Sequence, residues 1–147
     1  MSPRMKNPSL VVPDALQPLL ELTKSISKTG VPMQTLDFVR LRVSQLNGRA
    51  ILIPVGAREI ENADDRLSMV AGWQDATCFN DAECAALELA EAVTRLRGED
   101  PVPDEVWAEA ARHYNEQELG ALVLQIGLVN LWNRVNVAVN EEPAEWS

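Results

Sequence analysis

The sequence of 147 residues predicts an all-α protein that folds as one domain of about six to seven helices. Apolar residues recur at spacings of three and four along most of the chain. No segment alternates apolar and polar residues as a strand does, and proline or glycine separates stretches of helical length. A chain of this length has room for one hydrophobic core and little for a second.

The first third of the chain is predicted to form an arm and two helices. Residues 1–12 contain prolines that disfavour helix, so we expect an extended N-terminal arm whose apolar residues 10–12 can pack on a neighbour. The apolar spacing then predicts one helix over 13–29 and another over 33–47. Gly48 is a natural stop for the second helix, because glycine adopts the left-handed conformation of helix ends without strain.

The middle of the chain is the hardest part to assign. Residues 49–61 include Pro54, which lacks an amide donor, and Gly56, which costs about 1 kcal/mol against alanine within a helix. We therefore expect a short or frayed helix in this segment. The two aspartates at 64–65 are good first residues for a helix, which we expect to reach Trp73.

Three further helices are predicted over 80–97, 103–114 and 115–139. The first begins with an asparagine and a glutamate at the spacing of a capping box. The last is almost entirely apolar, so we expect it to lie in the core with one side covered by another subunit. The chain thus divides into the arm, a helical domain over 13–140 and an acidic tail over 141–147.

Charge and cysteine content argue against several classes of function. The net charge of −9 disfavours binding to nucleic acid or anionic lipid, because both are bound mainly through lysine and arginine. No apolar run approaches the roughly 20 residues that span a bilayer, and the N-terminus lacks the apolar stretch of a secretory signal, so we expect a cytoplasmic protein. Cys78 and Cys84 are predicted to be free thiols, which suits a reducing compartment.

A short motif at 44–48, with the sequence SQLNG, carries the most information about function. It resembles the segment that leads into the Cys-x-x-Cys motif of the AhpD-like family, which includes alkylhydroperoxidase D and carboxymuconolactone decarboxylase. The resemblance covers about residues 14–139 and rests on the order and spacing of several segments. These segments are 38–48, 57–59, 65–73, 79–83, 85–94, 118–119 and 130–134.

The resemblance implies a helical fold that forms oligomers and, in active relatives, a thiol peroxidase reaction. Those relatives use two cysteines, a histidine one turn beyond the second, and a carboxylate twelve residues before the first. The matching positions of this chain hold Arg49 and Leu52 for the cysteines, Gly56 for the histidine and Asp37 for the carboxylate. Because arginine and leucine offer no nucleophilic sulfur, we expect no catalytic residues of this kind and no Cys-x-x-Cys peroxidase activity.

Arg49 is the most informative of these substitutions. A cation at a helix start opposes the helix dipole unless an anion accompanies it. We expect an ion pair between Arg49 and Asp37 that fills a former active site. One alternative is a site for a small anionic ligand, a carboxylate or phosphate, formed by Arg49 and the free amides at 50–53 beside Ser44 and Asn47. The other is an arginine directed to solvent.

The other reactive side chains do not form a recognisable site. His113 is predicted to lie near the end of its helix, at the surface or in a subunit contact, and a single histidine indicates neither a metal site nor a cofactor. Cys84 lies near a helix start, where a lowered thiol pKa is conceivable, but the two cysteines lack the family spacing. Asn133 and Arg134 are expected to bond buried backbone or a carboxylate such as Glu91.

Four hypotheses for the function follow. The first is a non-catalytic AhpD-like protein that forms a dimer, trimer or hexamer and serves as a binding or assembly module. The second is a cysteine-independent, decarboxylase-like enzyme that acts on a small carboxylate at a pocket containing Arg49 and Asp37, although the histidine usual in that branch is missing. The third is residual alkylhydroperoxidase activity of the peroxiredoxin type. The fourth is an unrelated helical domain.

Overall fold

The structure, a computed structural model, describes residues 2–49 and 65–142, and the regular elements within these ranges are all helical. This confirms the prediction of an all-α protein. Within the described part, no helix is long and apolar enough to cross a membrane. In chain order the elements are α1 (Pro8–Val11), α2 (Leu16–Ser27), α3 (Met33–Leu46), a 3₁₀ segment (Asp65–Asp75), α4 (Asp81–Arg95), α5 (Asp104–His113) and α6 (Glu116–Ala138).

The N-terminal arm is not extended throughout, in contrast to the prediction. Residues 8–11 form the single turn of α1, which begins with Pro8. Proline is tolerated at this position because the first amides of a helix have no partner within it. Asn7 caps the turn by accepting a hydrogen bond from the amide two residues later, at 3.0 Å. The Arg4 amide donates to Val139 O at 2.6 Å, so the arm packs on the end of α6.

The helices α4 and α6 each begin with a capping box. At α4, the Asn80 side chain accepts from the Glu83 amide at 2.8 Å, and Glu83 Oε1 accepts from the Asn80 amide at 2.9 Å. Asn115 and Glu118 form the same pair at α6. Each cap satisfies amides that have no partner within the helix and contributes about 1 kcal/mol. The predicted start of α4 is confirmed.

The predicted helix before Trp73 is present, but it is a 3₁₀ segment with a break. Gly72 has φ −111° and ψ 33°, which lies outside the helical region. The prediction was therefore right about the location of this element and wrong about its regularity. The frayed helix expected over 49–61 lies, apart from its first residue, outside the described residues, as does the tail over 143–147.

The helix α3 lies between two apolar clusters. One face of α3 packs against α6 and α4, and the opposite face packs against the 3₁₀ segment. The helix α6 contacts α2, α3, α4 and α5, which confirms its predicted central position. The α3 residues of the first cluster are Leu36, Val39 and Val43, and those of the second are Phe38 and Leu41.

Candidate functional site

The motif at 44–48 forms the end of α3. The Gly48 amide donates to Gln45 O at 3.0 Å, and the Arg49 amide donates to Ser44 O at 2.7 Å. Gly48 has φ +67°, a left-handed conformation that glycine adopts without steric cost. The helix stop predicted at Gly48 is confirmed. The turn places the backbone of Arg49 beside the last turn of α3.

Asn47 links α3 to α6 through side-chain amides. Its Nδ2 donates to Asn130 Oδ1 at 2.9 Å, and Asn130 Nδ2 donates to Thr94 Oγ1 at 3.1 Å. Arg134 Nη1 donates to the same Asn130 Oδ1 at 2.6 Å. Residues from α3, α4 and α6 therefore share one network, and Arg134 contacts an amide oxygen instead of the predicted carboxylate or backbone.

The Arg49 guanidinium lies at the carboxyl end of α6. Its Nη2 donates to Glu141 O, while its Nε is buried without a hydrogen-bond partner among residues 2–49 and 65–142. A second cation reaches the same end, since Arg4 Nη1 donates to Ala138 O at 3.1 Å. Cations near a helix carboxyl end are favourable by about 0.3 to 1 kcal/mol, because the last carbonyls carry partial negative charge.

Asp37 lies in a different part of the fold. It occupies the second turn of α3, and the remaining nine residues of that helix rise by about 13 Å. Asp37, Arg40 and Gln125 line a cavity of about 210 Å³ between α2, α3 and α6. The Arg49 guanidinium donates to Glu141 O instead. The structure describes both Asp37 and Arg49 and does not bring them together, so the expected ion pair is not formed.

The four candidate ligand residues therefore divide into two groups. Ser44, Asn47 and Arg49 lie together at the end of α3, and Asp37 lies apart from them. Leu52 and Gly56, which the sequence resemblance assigns to the second cysteine and the histidine, lie outside the described residues.

The two cysteines are free, as predicted, but they do not resemble activated thiols. Cys78 is exposed, and Cys84 is half-buried in the first turn of α4. Burial raises the pKa of the Cys84 thiol, and the carboxylates of Asp81 and Glu83 raise it further. The lowered pKa that this helix start made conceivable is therefore not found, which agrees with the interpretation of Cys84 as an unreactive, half-buried thiol. Because the thiolate is the reactive form, a raised pKa lowers reactivity near neutral pH.

His113 lies in the last turn of α5, as the sequence predicted, with its Nε2 2.9 Å from Glu109 Oε2. This hydrogen bond lowers the pKa of the partly exposed Glu109 carboxyl. In the described part of the chain, no group of three histidine, cysteine, aspartate or glutamate side chains is arranged to hold a metal ion.

A buried carboxylate at the centre of a charged cluster was not predicted. Glu91 is 7% exposed, and its Oε2 accepts from Arg42 Nε at 2.7 Å and from Trp73 Nε1 at 2.8 Å. Its Oε1 accepts from Arg95 Nη1 at 3.3 Å. The only sequence signal was the four-residue spacing of Glu91 and Arg95. Asn133 was expected to bond buried backbone or a carboxylate, yet its buried Nδ2 has no partner among the described residues.

A second unpredicted ion pair fixes the 3₁₀ segment to α4. Arg66 forms a two-point contact with Glu83, with Nη1 to Oε1 at 2.6 Å and Nη2 to Oε2 at 3.0 Å. The guanidinium also lies 5.0 Å from the ring centre of Phe38 and 5.6 Å from that of Phe79. Glu83 thus caps α4 and binds Arg66 with the same carboxylate.

Comparison with known proteins gives relatives of unassigned function and a likeness to solved structures. No protein-family model matches the sequence. The chain is 29% identical over 137 residues to the uncharacterized protein YdfG of Bacillus subtilis, covering 91% of this chain and 92% of YdfG. It is 37% identical over 82 residues to the uncharacterized protein YnjA of Escherichia coli, covering 56% of this chain and only 44% of YnjA.

The structural likeness is to ATU0492 of Agrobacterium tumefaciens, a protein of unknown function that has been suggested to be the antioxidant defence protein AhpD. The TM-score is 0.80 at 22% sequence identity, and the match covers 98% of this chain and 100% of ATU0492. This agreement confirms the predicted AhpD-like helical fold. It concerns the fold alone.

Proposed function

We propose that this chain is an AhpD-like protein without thiol peroxidase chemistry that serves as an oligomeric binding or assembly module. The contact made by Arg49 gives the most direct support for the absence of thiol peroxidase chemistry. The family resemblance puts this residue at the first cysteine, and its guanidinium donates to Glu141 O at the end of α6. The side chain at this position joins two helices and offers no sulfur for attack on a peroxide.

The purified protein is expected to consume hydrogen peroxide or cumene hydroperoxide no faster than buffer when dithiothreitol is supplied as reductant. The physical reason is that Cys84 has a raised pKa and that Cys78 lies in the loop before α4, outside the family motif. Peroxide loss is followed by the ferrous–xylenol orange assay. The matched control is Cys84→Ser, and a protein-dependent rate that this variant abolishes would contradict the proposal.

The decarboxylase-like alternative receives less support from the geometry. It requires Asp37 and Arg49 at one pocket for a small carboxylate. Asp37 lines the cavity between α2, α3 and α6, whereas the Arg49 guanidinium is bound at the far end of α6. The geometry therefore favours the non-catalytic proposal.

The outer face of α6 supports the assembly part of the proposal. Gly120, Leu124, Gly127 and Leu131 are all exposed and follow one another at spacings of four, three and four residues. This is the seam spacing at which two helices pack together in coiled coils. A side chain placed at Gly120 or Gly127 would meet no atom within 4 Å, so the seam is open to a second helix. We name these four residues the α6 seam.

The α6 seam exposes apolar surface that a second copy of the chain can cover. Leu124 is 50% and Leu131 is 40% exposed, and Val123 and Val137 on the same helix are also exposed. Because each leucine is already about half buried, covering it on association contributes roughly 1 kcal/mol, about half of what a fully exposed side chain would give. We propose that copies of the chain associate through this face.

The double variant Leu124→Glu, Leu131→Glu is expected to be a monomer under conditions in which the parent is an oligomer. In a dimer of this variant, the glutamates of one copy would face those of the other across the α6 seam. Their mutual repulsion and their loss of hydration would both disfavour association. Light scattering coupled to size-exclusion chromatography at micromolar concentration measures the mass. The control is Leu96→Glu, which places one charge at a 60% exposed leucine outside α6 and should leave the mass unchanged. A monomeric parent would refute the assembly proposal.

A further inference from the structure

The exposed face of α6 continues beyond the α6 seam at both ends. Gln117 lies three residues before Gly120, Arg134 lies three residues after Leu131, and both are exposed. No residue after Gly120 and before Arg134 is charged, although the whole chain has a net charge of −9. A second copy of this acidic chain therefore meets no carboxylate of α6 along the middle of the face, so repulsion between the copies is smallest there.

The order of side chains along this face distinguishes the two ways in which a second copy can pair with it. Identical copies in a soluble dimer are usually related by a two-fold axis. If the axis runs along α6, the two helices are parallel and each residue faces its own equivalent. If the axis is perpendicular to α6, the helices are antiparallel and the first residues of the face meet the last.

The parallel orientation packs poorly. Leu124 would face Leu124 of the second copy, and Gly127 would face Gly127, so successive layers would contain two leucines or no side chain at all. The leucines would hold the helices apart and leave gaps at the glycines, and gaps in a packed interface cost stability. Arg134 would also face its own equivalent, where the two positive charges repel.

The antiparallel orientation places one leucine and one glycine in every central layer. Leu124 of one copy faces Gly127 of the other, and Leu131 faces Gly120. The glycines leave room for the leucines, since a Cβ at either glycine would meet no atom of the described residues within 4 Å. Large and small side chains that alternate across facing helices interdigitate, and the helix axes can then approach to about 8 to 10 Å.

The two ends of the face are also complementary in the antiparallel orientation. Arg134 faces Gln117 of the second copy, and the exposed carboxylate of Glu116 is its neighbour. Arg134 Nη1 donates to Asn130 Oδ1 at 2.6 Å, and a guanidinium has five N–H donors, so others can reach the second copy. Exposed charges of this kind add little affinity, but they favour one orientation over the other.

The same pattern selects one register. If the antiparallel copies slide by one heptad in one direction, Leu124 faces the charged Arg134 of the second copy. If they slide by one heptad in the other direction, Leu131 faces His113, which lies in α5, before the start of α6 at Glu116. Only the register between these two pairs both leucines with glycines.

We infer that two copies of the chain pair through α6 in the antiparallel orientation, with each leucine of the α6 seam packed against a glycine of the other copy. The inference rests on the association proposed above and adds the orientation and the register. Because the axis is two-fold, the Leu124–Gly127 and Leu131–Gly120 contacts each occur twice.

Disulfide cross-linking tests the orientation. In a background of Cys78→Ser and Cys84→Ala, the substitutions Gly120→Cys and Leu131→Cys are introduced singly and together. In the antiparallel pair, position 120 faces position 131 of the other copy, whereas two identical positions lie about 16 Å apart along the helix axis. A disulfide requires Cα atoms within about 7 Å, so after oxidation we expect the double variant to give at least about tenfold more covalent dimer than either single variant. Non-reducing gel electrophoresis measures the yield.

The outcomes separate this inference from the assembly proposal. Covalent dimer from each single variant would indicate parallel helices, which overturns the inference and leaves the proposed assembly in place. An oligomer that no variant cross-links would associate through another surface, which also overturns the inference. A monomeric parent in light scattering would refute the assembly proposal itself.

The variant Gly127→Leu tests the packing independently of thiol chemistry. Its new side chain would meet Leu124 of the second copy, so we expect the dissociation constant of the pair to rise at least about tenfold. Each copy should still fold, because leucine favours helix more than glycine does and the described residues leave the position open. Sedimentation equilibrium over a dilution series measures the constant.

The control for this variant is Ala111→Leu, which enlarges an exposed side chain of α5 and should leave the dissociation constant unchanged. In a parallel pair, Gly127→Leu would instead fill an empty layer and strengthen association. An unchanged or tighter association of Gly127→Leu therefore overturns the antiparallel register.

Discussion

Replacing Glu91 with alanine is expected to lower the free energy of unfolding by about 3 to 5 kcal/mol. The Glu91 carboxylate is buried and accepts hydrogen bonds from Arg42, Trp73 and Arg95. Alanine would leave the shielded Arg42 guanidinium without its counter-charge and the buried indole N–H of Trp73 without its acceptor. Urea unfolding followed by circular dichroism measures the change.

The matched control for this substitution is Glu88→Ala. Glu88 lies on the same helix, three residues earlier, and is exposed. Its replacement should change the free energy of unfolding by no more than about 0.5 kcal/mol. If Glu91→Ala cost less than about 1 kcal/mol, the buried charged cluster would not contribute to stability as its geometry indicates.

The triple variant Arg49→Cys, Leu52→Cys, Gly56→His is expected to reduce peroxide at least about 100-fold faster than the parent. It restores the two thiols and the histidine of active relatives. Thiolate attack and proton transfer are the steps that the parent lacks under the proposed function. The rate is measured with dithiothreitol as reductant, and circular dichroism verifies that the variant is folded.

Two controls separate restored chemistry from nonspecific thiol reactivity. The variant Arg49→Ser, Leu52→Ser, Gly56→His has serine side chains close in size to cysteine but lacks both sulfur atoms. It should therefore be as inactive as the parent. The variant Arg49→Cys, Leu52→Cys with Gly56 kept should be slower than the triple variant, because it lacks the imidazole that can transfer a proton. A folded cysteine variant that is no faster than the serine control would show that the scaffold no longer supports the reaction.

The parts of the fold that the sequence predicted are those governed by local interactions. The start of α4 was predictable because Asn80 caps the helix and the Glu83 side chain, three residues later, accepts a hydrogen bond from the Asn80 amide. The end of α3 follows from Gly48, whose positive φ closes the helix. The all-helical class follows from apolar spacing, which is also a local property.

The parts that the sequence did not predict depend on contacts between distant segments. Arg49 binds a backbone carbonyl 92 positions away, and Arg42 binds Glu91 across 49 positions. The sequence does not distinguish either partner, because every carboxylate and every helix end can accept a hydrogen bond from a guanidinium. The expected pair of Arg49 and Asp37 assumed that the family's active-site geometry was kept, whereas the end of α6 provided another acceptor.

The contact between Arg49 and the end of α6 also bears on whether this position could regain a cysteine in evolution. A single substitution to cysteine would remove a charge-assisted hydrogen bond, which typically contributes about 1.5 to 3 kcal/mol, and would restore only one of three catalytic groups. The intermediate would thus be less stable and still inactive. For a protein with a stability margin of about 5 to 15 kcal/mol, such a step is unfavourable, so under the proposed function the Arg49 contact makes a return to thiol chemistry harder.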